Sequence, residues 1–296
     1  DNGMKTLNVW IEINGKSTYV GMIQGSNAGD ARFAYAKDYC ENGKYRPISL
    51  HLPFRNAAFS PTDTRNFFEG LLPEGFTRRC VAGWLHADEN DYLTLLSGLG
   101  KECIGAIKIT DKEEAATEAT YKELSVDEVK QLAKEGATEA AELVTKSHLS
   151  LTGASGKVGL YFDELNNRWY LPIGAAPSTH IVKQSHVRLD GIVTNEQLCL
   201  MTAKRVGIEI PDSFVINVGE GRDEDVLFAT KRYDRMFSID ASSIHGLQVP
   251  YRLHQEDFSQ ALGISSADKY EHGHEGYLTQ MFQLLRQYSS NPIEDQ

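Results

Sequence analysis

The order of local signals between residues 148 and 235 constrains the fold of this chain more than any other feature. A glycine-rich turn sits between strand-like flanks in His148-Leu-Ser-Leu-Thr-Gly-Ala-Ser-Gly-Lys-Val-Gly-Leu160, and further strands read at 169–173 and 180–184. Thr194-Asn-Glu-Gln197 is a capping box opening an amphipathic helix through Val206, with Gly207 as its stop. Strands at 213–217 and 225–231 follow. Strands joined by short turns, with one helix among them, predict a mostly antiparallel sheet carrying that helix on one face.

Upstream, residues 5–54 alternate as strands joined by turns, with Asn14-Gly15 as a hairpin signal between 7–13 and 18–23. Ser60-Pro-Thr-Asp63 then supplies a cap, a proline at the first helical position and an early acid, so a helix starts there and stops at Pro73. Helices are expected over 76–87 and 91–96, and a strand over 103–109. From 111 to 143 the composition shifts to Ala, Glu, Lys and Thr, which reads as an acidic connector with a solvated helical face. Beyond Asp234, helices are expected over 255–262 and 276–287. The predicted class is α+β. A β-rich subdomain with helices covers 4–110, an acidic helical connector 111–147, a small sheet-plus-helix lobe 148–235, and the beginning of a helical lobe 236–296.

Composition removes several functions. The formal charge of −11 disfavours a general nucleic-acid surface, so any DNA contact is expected to be indirect. No apolar run approaches the roughly 20 residues that span a bilayer, and the first residues lack a secretory apolar stretch. A cytoplasmic protein with no membrane role is expected. Cys40, Cys80, Cys103 and Cys199 form no C-x-x-C pair and read as reduced core thiols. The histidines show no metal-ligand spacing, so no metal site is assigned to them.

The glycine segment admits two chemistries. Gly153 and Gly156 would let backbone N–H groups approach a polyanion, with Ser150, Thr152 and Ser155 offering hydroxyls and Lys157 a charge. The plainer alternative is a hairpin whose Gly-Ala-Ser-Gly turn needs positive φ. A P-loop is excluded, because two residues rather than four separate the glycines and Val158 replaces the magnesium-binding hydroxyl. Gly153-Ala-Ser155-Gly156 is one residue short of a nucleophile elbow. A glycine loop of the kinase type works with a lysine on a neighbouring strand, and Lys183 fits that position; an exposed edge lysine is the alternative. Glu196 is its candidate counter-charge, or simply an acid well placed near a helix start. Lys231-Arg-Tyr-Asp-Arg235 follows a strand as a hinge between lobes would. The order of elements is that of a protein-kinase-like small lobe.

Taken together, Asn66-Phe-Phe-Glu-Gly-Leu-Leu-Pro-Glu74, Leu95-Leu-Ser-Gly-Leu-Gly100 with Gly105-Ala106, Ser150-Leu-Thr-Gly-Ala-Ser-Gly-Lys157, Thr179-His-Ile-Val-Lys183, Asn195-Glu196, Lys231-Arg-Tyr-Asp-Arg235 and His254-Gln-Glu-Asp-Phe-Ser-Gln-Ala-Leu262 resemble the HipA-like toxins in content and order. The resemblance runs from about Leu7 to the end of the chain. It implies a serine/threonine kinase that uses ATP and Mg2+ to phosphorylate a translation-related protein, typically an aminoacyl-tRNA synthetase. It also implies restraint by a HipB-like helix-turn-helix antitoxin, through which alone DNA is met. By position, Thr152, Gly153, Ala154, Ser155, Gly156 and Lys157 would cover the ATP phosphates and Lys183 would hold them. Lys231, Arg232 and Tyr233 would supply hinge contacts, and Ser150 matches the serine whose autophosphorylation expels the loop. The family usually carries glutamine where Ser155 stands. Its Asp-Gly-His-x-x-Asn loop, which supplies the catalytic aspartate and magnesium ligands, does not occur in these 296 residues. The resemblance therefore implies a HipA-like kinase given without its catalytic half and inactive in this form. The other readings are a nucleotide- or antitoxin-binding module completed by a partner, and an unrelated α+β binding protein.

Overall fold

A computed structural model describes residues 3–113, 118–135, 157–185, 190–272 and 276–296, with backbone alone for 132–135. The chain clusters into two compact units, one of Asp1–Thr6, Val20–Gly70 and Glu256–Gln296 and one of Leu7–Tyr19 and Leu71–Gln255. The division runs through the first hairpin, made of β1 (Lys5–Ile13) and β2 (Lys16–Gly25).

In the first unit β2 pairs antiparallel with β3 (Arg32–Tyr35), placing Ile23 opposite Phe33. Phe33 is fully buried and lies edge-on to Tyr35 and Phe68, with Phe59 stacked on it. The Tyr35 hydroxyl donates to Leu52 O at 2.7 Å and accepts from Ile48 N–H at 3.0 Å, so a buried polar atom ties the irregular 48–52 segment to the sheet. The helix Pro61–Phe68 opens as its sequence predicts, with the Ser60 hydroxyl accepting from Asp63 N–H at 3.0 Å and proline in the first turn. It ends earlier than Pro73, because 69–71 tightens into a 3-10 turn. The helix Phe258–Leu262, with its Asp257/Gln260 capping box, bonds back to it through Gln260 Nε2 to Phe67 O at 3.0 Å. A last helix covers Tyr277–Tyr288.

In the second unit β1 pairs with β4 (Ile107–Thr110). The expected strand over 103–109 is shorter than predicted, since residues 101–106 form a loop that is used below. Helices occupy Gly75–Trp84 and Tyr92–Leu99, the second capped by Asp91. The segment expected as an acidic helical connector is not helical throughout. It contributes β5 (Ala119–Glu123) as well as the helix Val126–Glu135, because Tyr121 has a buried place beside the neighbouring strand.

The main sheet has six strands in the order β5-β7-β6-β8-β10-β9, where β6 is Lys157–Asp163, β7 Arg168–Gly174, β8 His180–Gln184, β9 Ser213–Asn217 and β10 Val226–Lys231. Neighbouring strands run antiparallel. One face is an apolar core of Val158, Leu160, Val182, Leu227 and Ala229, closed by Leu124, Val129 and Trp169. The helix Ile192–Arg205 packs on β9 and β10. It begins two residues before Thr194, after Gly191, so the predicted capping box lies within the first turn rather than at its boundary. Gly207 follows its end at φ 88°, the left-handed stop that glycine tolerates.

The cysteines divide by environment. Cys103 is buried, whereas Cys40 and Cys80 are half-buried and Cys199 is exposed, so core thiol describes only the first.

Candidate functional site

Strand register decides what faces the helix Ile192–Arg205. Lys157 on β6 lies directly opposite Lys183 on β8, and Lys183 lies opposite Phe228 on β10. Directly opposed residues share a face, so two ammonium groups and one ring make a single row. Like charges across a pair are unfavourable without an anion nearby. Glu196 supplies one: Lys183 Nζ donates to its Oε1 at 2.6 Å, and both side chains are partly buried. Nζ also stands 5.6 Å from the centroid of the buried Phe228 ring, on its cation-attracting face.

Two residues along, about 6.6 Å given the rise per residue, the same face presents Ile181 opposite Gly159 and Thr230. That row carries one large apolar side chain, the small Thr230 and no side chain at Gly159. One step further the strand leaves the sheet: Arg232 N–H donates to Thr179 O at 2.9 Å, and the Thr179 hydroxyl accepts from Phe162 N–H at 2.9 Å. Lys157, Lys183, Ile181, Thr230 and Arg232 line one cleft of about 310 Å³, whose walls also include Glu196, Leu200, Tyr233, Asp234, Gln255 and Ile104. This is within the size range of small-ligand sites.

The hinge residues part company. Lys231 Nζ reaches Glu164 at 3.1 Å on the outer side, and Tyr233 is 72% exposed. The guanidinium of Arg232 turns inward and is buried, so it offers the cleft backbone rather than charge. There it joins a cluster that the sequence reading missed. Arg232 Nη1, Arg235 Nη2 and Arg252 Nη2 converge on the fully buried Glu102 at 3.1, 2.8 and 2.9 Å. Ser178 adds its N–H and its hydroxyl to Glu102, each at 3.1 Å. Asp234 takes the other edge of Arg232 at 2.9 and 2.7 Å, and Arg252 reaches Glu12 at 2.9 Å. Lys108 stands 3.4 Å from Glu12. Burial works against ionising Glu102, but Arg235, Arg252 and Arg232 outweigh it and hold the carboxyl well below its ordinary value. Asp234 is held low for the same reasons. Burial pushes Lys108 down to about 8. The available sequence signal was an aspartate flanked by arginines directly after an apolar strand. Nothing local marked Glu102 or Arg252.

Thr152, Gly153, Ala154, Ser155 and Gly156, with Ser150, lie outside the described residues, as does the strand-like flank expected before the glycine turn. Of the predicted loop, Lys157 is described. The structure thus brings Lys157, Lys183 and Glu196 together with the hinge backbone. Among the described residues no group of three or more His, Cys, Asp or Glu side chains could hold a metal ion, and no helix is long and apolar enough to cross a membrane.

An antiparallel sheet whose inner strand carries a lysine paired to a glutamate on the helix Ile192–Arg205, beside a hinge-lined cleft, is the arrangement of a protein-kinase-like small lobe. Comparison with known proteins agrees. Residues 7–110 match the HipA N-terminal domain and residues 149–296 the HipA-like C-terminal domain. The chain is 30% identical over 303 residues to the Sinorhizobium fredii protein named "Putative kinase Y4mE", covering 99% of this chain and 67% of that one. It is 26% identical to the serine/threonine-protein kinase toxin HipA of Shewanella oneidensis, over 80% of this chain and 51% of that one. The solved complex of Shewanella HipA, HipB and operator DNA contains a chain of similar fold, with TM-score 0.72 and 21% identity over 97% of this chain and 66% of that one. The chain belongs to the HipA family. It spans about two thirds of the first of these relatives and about half of the second.

Proposed function

We propose that this chain forms the nucleotide-holding part of a HipA-type serine/threonine kinase toxin. The observation that carries the reading is the Lys183–Glu196 pair at 2.6 Å, set in the cleft beside Lys157. The residues fit ATP: cations stand in one row for the phosphates, the apolar Ile181 for a base lies about 6.6 Å away, and the hinge backbone lies beyond it. In this reading Lys183 orients the α/β phosphates, and Glu196 holds the ammonium in place. Thr152 to Lys157 would cover the phosphates. Phosphorylation of Ser150 would put a dianion beside that site and repel them.

The described residues do not fit Mg2+. Two carboxylates line the cleft: Glu196 is committed to Lys183, and Asp234 to Arg232 and to the N–H of Gly105. With no Asp-Gly-His-x-x-Asn loop in the sequence, no phosphoryl-transfer step is assigned to these residues. We expect the 296-residue chain to bind ATP weakly and to transfer no measurable label from it. Through its family the whole protein is proposed to phosphorylate a translation-related protein such as an aminoacyl-tRNA synthetase, and to meet DNA only through a HipB-like antitoxin in the cytoplasm.

Calorimetric titration of ATP into the chain and into Lys183→Met tests the core of this reading. Loss of at least about tenfold in affinity, the cost of a charge-assisted contact to phosphate, is expected. Equal affinities would overturn it, and robust phosphoryl transfer by the chain would overturn the expected inactivity.

A further inference from the structure

The cleft is not built by the HipA-like C-terminal domain alone. Ile104 lies within the stretch matched by the HipA N-terminal domain, yet it lines the same cleft as Lys183 and Glu196. Its position is tightly specified. The peptide groups on either side are held by the hinge: Arg235 Nη2 and Arg232 Nη2 donate to Cys103 O at 3.2 and 3.3 Å, and Arg235 Nη1 donates to Gly105 O at 2.9 Å. Gly105 N–H donates to Asp234 Oδ2 at 2.7 Å. Gly105 adopts φ +70°, and a Cβ there would stand 2.8 Å from Gln255 N, so backbone approaches backbone where only glycine allows it.

The consequence is geometric. Four hydrogen bonds to Arg232, Asp234 and Arg235 hold the backbone around one β-branched side chain, which is left partly exposed and lines the cleft. The phosphate row of Lys157 and Lys183 is two rows away from the hinge. The neighbouring row holds Ile181, with no side chain on Gly159 opposite it. A flat ring lying over Ile181 would have Ile104 as its wall at the hinge end.

We infer that Ile104 is a specificity-determining residue for the base of the bound nucleotide, delivered to the kinase-like lobe by the N-terminal domain on a loop that the hinge arginines clamp. The inference rests on the nucleotide reading given above and adds a residue that the kinase-like lobe does not contain. It makes the N-terminal domain part of nucleotide recognition. A bulkier side chain at 104 shortens the space for the ring without touching the phosphate row. A smaller one opens a pocket at the ring's edge.

The test titrates three probes, ATP, inorganic tripolyphosphate and N6-benzyl-ATP, into the 296-residue chain and its Ile104→Trp, Ile104→Ala and Lys183→Met variants. Ile104→Trp is expected to weaken ATP by at least about tenfold, as pocket-filling changes do, and to leave tripolyphosphate unchanged. Ile104→Ala is expected to shift preference toward N6-benzyl-ATP relative to ATP by about tenfold. This second variant cannot overpack, so it decides the matter if the tryptophan variant fails to fold. Lys183→Met should weaken ATP and tripolyphosphate alike. If Lys183→Met weakens both while the Ile104 variants keep the parent's preferences, the base-wall inference is overturned. If Lys183→Met changes neither, the nucleotide reading itself fails.

Discussion

Neutralising Glu102 should unfold the second unit at far lower denaturant than removing any surface charge. In Glu102→Gln the amide oxygen can keep the place of Oε1, which accepts from Ser178, Arg232 and Arg235. The amide NH2 then replaces Oε2, which accepts from Arg252 Nε at 3.1 Å, Arg252 Nη2 at 2.9 Å and Arg235 Nη2 at 3.0 Å. A donor would face three donors, and one compensating charge would be lost from a fully buried site. For anionic partners, Arg232 and Arg252 keep Asp234 and Glu12, whereas Arg235 keeps a 3.2 Å contact to Asp234. Breaking a buried ion pair from one side costs about 3–5 kcal/mol, and partial retention of the other contacts places the expectation within that range. The three tryptophans, Trp10, Trp84 and Trp169, all lie in the second unit, so their fluorescence in urea reports its unfolding. With a slope of about 3 kcal/mol per molar urea, the midpoint should fall by about 1 M or more. Arg168→Met, which removes an exposed pair to Glu123 at 3.2 Å in the same unit, serves as the control and should change stability by less than about 0.5 kcal/mol. A loss below about 1 kcal/mol for Glu102→Gln would refute the reasoning, because that is the worth of an ordinary neutral hydrogen bond.

Acid should destabilise the same unit by a defined route. His180 is 2% exposed among Phe162, Trp169 and Phe214, and burial pushes its pKa down to about 4 from 6.5. Between those values the unfolded chain takes a proton that the folded chain refuses, so stability falls as pH drops from 6.5 towards 4, by about 3 kcal/mol from this group. Glu102, whose carboxyl is held low, acts in the same direction below its ordinary value of 4.5. An NMR titration placing His180 near 6.5 would contradict this. Gly105→Ala should lower the melting temperature, at a cost of about 1–3 kcal/mol for forcing a side chain into φ +70° against Gln255, and should weaken ATP as well. Unchanged melting would mean that the 101–106 loop is not clamped as described.

Much of the small lobe could be read from the chain before any coordinates. Short apolar runs at 158–162, 180–184 and 226–229, bounded by turn residues, are the length of strands buried in a sheet. The helix at Ile192–Arg205 and the stop at Gly207 were legible for local reasons, as was the Ser60 cap. The boundaries shifted where a neighbour supplied what the sequence lacked. Gly191 opened the helix before Thr194, the strand predicted over 103–109 gave its first residues to a clamped loop, and β5 formed inside an acidic stretch because β7 offered a free edge. Propensity is a weak prior, and pairing overrides it.

For the site, Lys183, Glu196 and the 231–235 hinge were nominated by type and order, since a kinase-like lobe needs a cation on an inner strand, an acid on its helix and a turn after the last strand. The sequence could not show that Lys157 and Lys183 stand opposite each other, which is a matter of register. Nor could it show that Arg232 turns away from the cleft towards Glu102, 130 residues away in the chain. Local residue types therefore determined which elements form and which side chains are candidates, because helix caps, turns and alternation act over a few residues. Tertiary structure alone decided which charges meet and which loop walls the cleft, because burial makes an unpaired charge costly and only the packed chain brings its partner within reach.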